Sequence, residues 1–178
     1  MKGVIHQMFI DMNQHDPEIV DMTVFNGPDL YERKASLMMH SDCIIVLPGG
    51  VGTLDELWEA ACNRSLQFYG MESVPICILN INGYYDGSIA QMQRTADEGL
   101  LYGPIESYFH VVSDPVEAVT WCLSQLKGRT PRSHNLLDTP HEKTVITTTK
   151  TVSTFHQWCL VGVVNCAFLV AAISRTKS

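Results

Sequence analysis

The sequence predicts an α/β fold: a Rossmann-like parallel sheet with helices on both faces. Three observations carry this. Short apolar runs alternate with longer helical patterns along most of the chain. One of those runs, Cys43-Ile44-Ile45-Val46-Leu47, is apolar on both faces, as a central parallel strand must be. That run feeds a glycine-rich turn, Pro48 to Gly52, and then a helical pattern, the strand–turn–helix unit of such sheets. Taken in order, the expected strands are Val4–Ile10, Thr23–Phe25, Cys43–Leu47, Val74–Leu79 and Phe109–Val112. The expected helices are Asp29–His40, Thr53–Tyr69, Asp86–Glu98 and Pro115–Lys127. The last has the clearest start, since Asp114-Pro115-Val116-Glu117 supplies an N-cap, a proline at the first helical position and an acid two residues later.

At 178 residues the chain suits one domain of ordinary size with an appendage. Residues 1–128 read as the domain, 129–153 as a polar, Thr-rich linker, and 154–178 as an apolar C-terminal segment. With 46% hydrophobic and 17% charged residues, general disorder is excluded. A formal charge of −7 argues against a nucleic-acid partner, which needs a basic patch to neutralise phosphates. A small anion is still open to it, because oriented backbone N–H groups hold phosphate without net positive charge.

None of the six cysteines forms a CxxC pair, and no Cys/His set has metal-ligand spacing, so no metal is expected. Cys43, Cys62, Cys77 and Cys122 lie in apolar runs and read as buried thiols of a reducing, cytoplasmic compartment. The N-terminal stretch, interrupted by His6 and Gln7, lacks the apolar core of a signal peptide. Trp158–Ile173 is apolar but shorter than the ~20 residues a bilayer span usually needs. It reads either as a C-terminal anchor holding the domain on the cytosolic side of a membrane, as a helix buried against protein, or as a non-native tail. His6, His15, His110, His134, His141 and His156 read as surface or packing residues.

The chemistry concentrates between Pro48 and Glu56. Gly49, Gly50 and Gly52 let the backbone turn sharply and approach a ligand closely. A helix expected to start at Thr53 offers free N–H groups and the positive end of its dipole to a phosphate. The stretch is neither a Walker A loop nor a GxGxxG dinucleotide fingerprint. Glu56 admits two readings. Thr53-Leu54-Asp55-Glu56 fits a capping box, in which the Glu only satisfies a backbone amide. Alternatively, Glu56 is a carboxylate beside a bound phosphosugar, placed to activate water or stabilise a cationic sugar. Arg33 and Lys34, early in the preceding helix, read either as a solvated basic turn or as cations at the sheet edge where Glu56 also lies.

With these residues in place the sequence resembles the cytokinin-activating "Lonely guy" phosphoribohydrolases, whose members are often labelled lysine decarboxylases. The matching text is Glu32-Arg33-Lys34-Ala35 and Pro48-Gly49-Gly50-Val51-Gly52-Thr53-Leu54-Asp55-Glu56. His40-Ser41-Asp42 and Asn82-Gly83-Tyr84-Tyr85-Asp86 add to it, and the resemblance runs from about Gly3 to Leu126. It implies hydrolysis of the N-glycosidic bond of an N6-substituted adenosine 5′-monophosphate, giving free base and ribose 5-phosphate without metal or redox cofactor. It also implies a catalytic pair, Arg33 and Glu56, and a substrate-binding set of Lys34, Gly49, Gly50, Val51, Gly52, Thr53, Leu54 and Asp55, within a homodimer.

Departures from the family pattern are equally specific. The family domain is expected to begin with a strand, a helix and a second strand carrying a glycine-rich loop, whereas this chain enters at Gly3-Val4-Ile5. Tyr31 stands where the family commonly has His, and Ala61-Cys62-Asn63-Arg64 replaces a Thr-Trp-containing stretch. The other reading is therefore a catalytically inactive nucleotide-binding or interaction module. An amino-acid decarboxylase is excluded, because nothing resembles a pyridoxal phosphate Schiff-base site.

Overall fold

The computed structural model describes residues 2–15, 19 and 21–129, with the strand backbones of 144–147 and 170–172. The chain forms two compact units, one of residues 1–37 with 134–167 and one of 38–133 with 168–178.

In the first unit, β1 (Lys2–His6) pairs in parallel with β2 (Asp21–Phe25), placing Val4 opposite Thr23. Met22 and Val24 are the buried positions of β2, the alternation a one-faced strand requires. The expected strand Val4–Ile10 is half wrong: the chain turns at His6 into a short helix, α1 (Gln7–Asp11). His6 caps that helix, its Nδ1 accepting from the Met8 N–H at 3.2 Å and its other ring nitrogen lying 3.0 Å from the Gly27 carbonyl. An apolar run this short suits either state, and the cap decides it. α2 (Tyr31–Met39) follows, entered through the Asp29 carboxylate, which accepts from the Tyr31 N–H at 2.9 Å.

The second unit contains β3 (Ile44–Val46), α3 (Val51–Ser65), β4 (Ile76–Leu79), α4 (Asp86–Asp97), β5 (His110–Val112) and α5 (Pro115–Leu126). β3 pairs in parallel with β4, and β4 with β5, with Ile45 opposite Cys77 and Cys77 opposite His110. Both faces of this sheet are covered. Ile44, Val46, Ile76 and Ile78 pack with Leu57, Ala60 and Ala61 of α3 and Met92 of α4. Cys43, Ile45, Cys77 and Leu79 pack with Ala118, Cys122 and Leu126 of α5. Alternate residues of one strand therefore enter opposite cores, and each fully buried aliphatic side chain contributes roughly 1.5–3 kcal/mol. The chain is thus an α/β protein with parallel-stranded sheets and helices on both faces. α5 begins as expected, Asp114 accepting from the Glu117 N–H at 2.9 Å.

The backbone of Thr144–Thr147, within the stretch read as a linker, forms β6, antiparallel to β2. That of Val170–Ala172 forms β7, antiparallel to β3. The rest of the expected linker and apolar segment, with Cys159 and Cys166, lies outside the described residues. Among the described residues no helix is long and apolar enough to cross a membrane.

Cys43, Cys77 and Cys122 are buried in one core, whereas Cys62 is exposed on α3, against the expectation that all four are buried. Helical spacing turns Cys62 away from the sheet that Ala60, Ala61 and Asn63 face. A hydrogen bond with Cys122, then burial, pushes the Cys77 thiol up, and a hydrogen bond with Cys43 and burial push Cys122 up to about 12. Since the thiolate is the nucleophile, these groups are inert in the folded chain. Iodoacetamide at neutral pH should modify Cys62 first and reach Cys43, Cys77 and Cys122 only on unfolding, as read by peptide mass mapping. Equal rates at Cys62 and Cys122 would contradict the packing.

Candidate active site

The β3–α3 corner is built from its glycines. α3 starts at Val51, with Gly50 as its N-cap in extended conformation, two residues earlier than the expected start at Thr53. Thr53 is then inside the first turn, and Glu56 is in the second turn rather than the first. The capping box between Thr53 and Glu56 therefore does not form. Instead, Thr53 turns its side chain back onto Gly49: a Cβ there would stand 2.8 Å from the Thr53 Cβ and closer still to its Oγ1. Gly49 is a glycine because Thr53 occupies its side-chain space. Gly50 is different. Its backbone conformation is open to any residue, and nothing lies within 4 Å of where its Cβ would be. Among the described residues, neither strain nor protein contact requires glycine there, and the backbone at Gly50 is open to close approach.

The N-terminus of α3 suits an anion. Among the described residues no side chain caps it, and its first turn holds no acidic residue, so its N–H groups and positive dipole end are open to a negative charge. Val51 is 85% exposed, Leu54 is half-buried and Asp55 is exposed. Thr53, Glu56, Leu57 and Ala60 share the buried face, at the three- and four-residue spacing of one helix side. Glu56 is 2% exposed and is engaged by its surroundings. Taking a carboxylate out of water costs several kcal/mol, more than the ~1 kcal/mol that helix capping returns. Capping does not account for its position.

Arg33 and Lys34 lie early on α2, as expected. Arg33 is 4% exposed and Lys34 is half-buried, so the solvated-turn reading fails for Arg33. Both are engaged by their surroundings. The corner brings together Gly49 to Glu56 on one turn and helix.

Two residues that the sequence left without a role hold the glycine turn. Between β4 and α4 the backbone passes through left-handed conformations at Asn82 (φ 52°) and Gly83 (φ 72°). Asn80 ties the loop at both sides, its Oδ1 accepting from the Tyr85 N–H at 2.7 Å and its Nδ2 donating to Asp86 Oδ1 at 2.8 Å. The loop then delivers Tyr84 Oη to the Gly49 carbonyl at 2.6 Å and Tyr85 Oη to the Leu47 carbonyl at 2.5 Å. The two rings meet edge to face at 5.0 Å. The Asn82-Gly83 pair marks a tight turn in sequence, but its partner across the sheet edge is visible only in three dimensions.

Burial, then neighbouring Tyr84, pushes the Tyr85 hydroxyl up to about 12, partly offset by a backbone hydrogen bond with Gly49. The folded state thus holds this proton more tightly than the unfolded state. Stability from Tyr85 is fully present below about pH 10 and is lost as pH rises toward 12. Urea midpoints measured from pH 8 to 12 should fall in that window less steeply for Tyr85→Phe than for the native chain; parallel curves would contradict this. At the glycine turn, Gly49→Ala should lower the melting temperature by several degrees, through collision with Thr53, about 1–3 kcal/mol. Gly50→Ala should leave it within about a degree. A destabilised Gly50→Ala would show that the position is not open space.

The family described as "Possible lysine decarboxylase" matches residues 1–122. The cytokinin riboside 5′-monophosphate phosphoribohydrolase LOG5 of Arabidopsis thaliana is 41% identical over 89 residues, which is 48% of this chain and 38% of that protein. LOG3 of the same plant, bearing the same activity name, is 38% identical over 73 residues, 41% of this chain and 33% of the relative. The rice protein LOGL3 (Oryza sativa subsp. japonica), a probable cytokinin riboside 5′-monophosphate phosphoribohydrolase, is 32% identical over 114 residues, 57% of this chain and 53% of its own length. The chain thus spans about a third to a half of the lengths of these relatives. The match over residues 1–122 takes in well over half of the sequence, including the whole glycine turn and α3, and the chain belongs to the family described as "Possible lysine decarboxylase".

Proposed function

We propose that this chain is an N-glycosidic-bond hydrolase acting on adenosine 5′-monophosphates substituted at N6, the cytokinin nucleotides. The observation that carries the reading is Glu56, a buried carboxylate one helical turn beyond an uncapped, glycine-lined helix start. The relatives named as phosphoribohydrolases support the reaction class. In this reading the 5′-phosphate sits on the N–H groups of Gly50, Val51, Gly52 and Thr53, with the turn from Gly49 admitting its oxygens. Leu54 and Asp55 flank the nucleotide, and Lys34 contributes positive charge to it.

Phosphate binding fixes the distance from the anion to C1′ and so presents the reacting carbon to Glu56. The C1′–N9 bond breaks with its electron pair leaving on the purine, which takes up a proton. Positive charge develops on the ribose C1′ and ring oxygen, and water adds to C1′. Glu56 stabilises that cation and accepts the proton from water. Arg33 completes the catalytic pair by resemblance to the family, with the role of orienting the nucleotide. The products are free base and ribose 5-phosphate. The step is a hydrolysis, and its electrons balance without a redox partner.

The test is ribose 5-phosphate release from isopentenyl-AMP and from AMP, with Glu56→Gln alongside. The native chain should release it faster from isopentenyl-AMP, and Glu56→Gln should lose about 10²-fold or more while keeping its circular dichroism spectrum. No release from folded native protein would sink the hydrolase reading and favour a nucleotide-binding module.

A further inference from the structure

We infer that Tyr84 is a positioning residue for the anion subsite: its hydroxyl, by holding the Gly49 carbonyl, aims the Gly50 N–H at the ligand phosphate. This deepens the reading just proposed and rests on it. In a planar trans peptide the C=O of one residue and the N–H of the next point in opposite directions. The Gly49–Gly50 peptide is trans, and Tyr84 Oη donates to its carbonyl at 2.6 Å. The Gly50 N–H therefore faces away from Tyr84, on a residue with nothing within 4 Å of its absent side chain.

The neighbouring groups of the turn are already committed. Tyr85 Oη donates to the Leu47 carbonyl. Pro48 has no N–H to offer. The Gly50 carbonyl accepts from the Leu54 N–H at 3.1 Å, as the first hydrogen bond of α3. Gly50 thus presents a donor on the open side of the turn, and Tyr84 sets that donor's direction. Tyr84 is itself 56% exposed, so little of its value lies in packing. A residue kept for packing would be buried, as Tyr85 is.

The support for Tyr84 is rigid. Left-handed Asn82 and Gly83, with Asn80 bonded to both Tyr85 and Asp86, brace the loop in the conformation from which Tyr84 reaches across. At φ 72° a side chain at Gly83 would be strained, and its Cβ would stand 2.5 Å from Asp86 Oδ2. Without the hydroxyl, the Gly49–Gly50 peptide is free to rotate between α3 and Pro48, and the donor loses its aim while the fold persists.

The experiment compares the full chain with Tyr84→Phe, titrating each with AMP and with adenosine by calorimetry. The phosphate is the only difference between the probes. A merely structural change would weaken both alike. Tyr84→Phe should lower the ratio of AMP to adenosine affinity about fivefold, the loss of one hydrogen bond's worth of alignment. Its melting temperature should stay within about two degrees of the native value. In nitrogen-resolved NMR spectra, the Gly50 amide should move on AMP addition in the native chain and move less in the variant. An unchanged affinity ratio in Tyr84→Phe, with native AMP preference intact, would overturn the positioning role alone. A native chain that binds AMP no better than adenosine would overturn the anion site itself, and the role of Tyr84 with it.

Discussion

β3 is buried on both faces, and the candidate site depends on that. Ile44 and Val46 enter the core beneath α3 and α4, while Cys43 and Ile45 enter the core beneath α5. A slip of one residue would exchange the two sets, and every side chain would meet the wrong partner. The pairing of Val46 with Ile78 therefore also settles where the chain leaves the sheet. Because β3 and β4 run parallel, the loops that follow them emerge at the same edge. Residues 47–50 and 80–86 are brought side by side, and two tyrosine hydroxyls join them.

From that edge the chemistry follows in steps of decreasing freedom. The loop after β4 is held by Asn80, the tyrosines hold the glycine turn, and the turn sets the start of α3. The helix start then dictates which of its residues point inward. Beginning at Val51 puts Thr53 against Gly49 and Glu56 on the buried side. Glu56 and Arg33 are both buried and both engaged by their surroundings, so neither is a solvated surface charge.

Much of the architecture was legible because both periodicities are clean. Cys43 to Leu47 and Val74 to Leu79 have no polar interruption, and the strands they become, Ile44–Val46 and Ile76–Leu79, lie inside those runs. Asp114-Pro115 marked the start of α5 correctly, because an N-cap with proline behind it is a local device that needs no distant partner. The errors fall where a contact decides. Gln7–Asp11 is helical because His6 caps it and finds a second partner at Gly27. Thr53–Tyr69 overran because Gln67, Tyr69 and Gly70 adopt left-handed conformations, which end α3 at Ser65.

The sequence by itself determined the fold class, the membership of the family and the candidate residues of the site, because hydrophobic period, glycine pattern and acidic position are written in local order. Only the tertiary structure decided how those residues are placed. Thr53 and Glu56 read equally well as a capping box until the helix was seen to begin at Val51. Gly49 and Gly50 are alike in sequence, yet one is filled by Thr53 and the other stands open. Tyr84 and Tyr85 acquire a role only through carbonyls more than thirty residues away in the chain. The reason is physical: periodicity constrains which face of an element is buried, but a hydrogen bond across a sheet edge depends on strand register, which no single segment encodes.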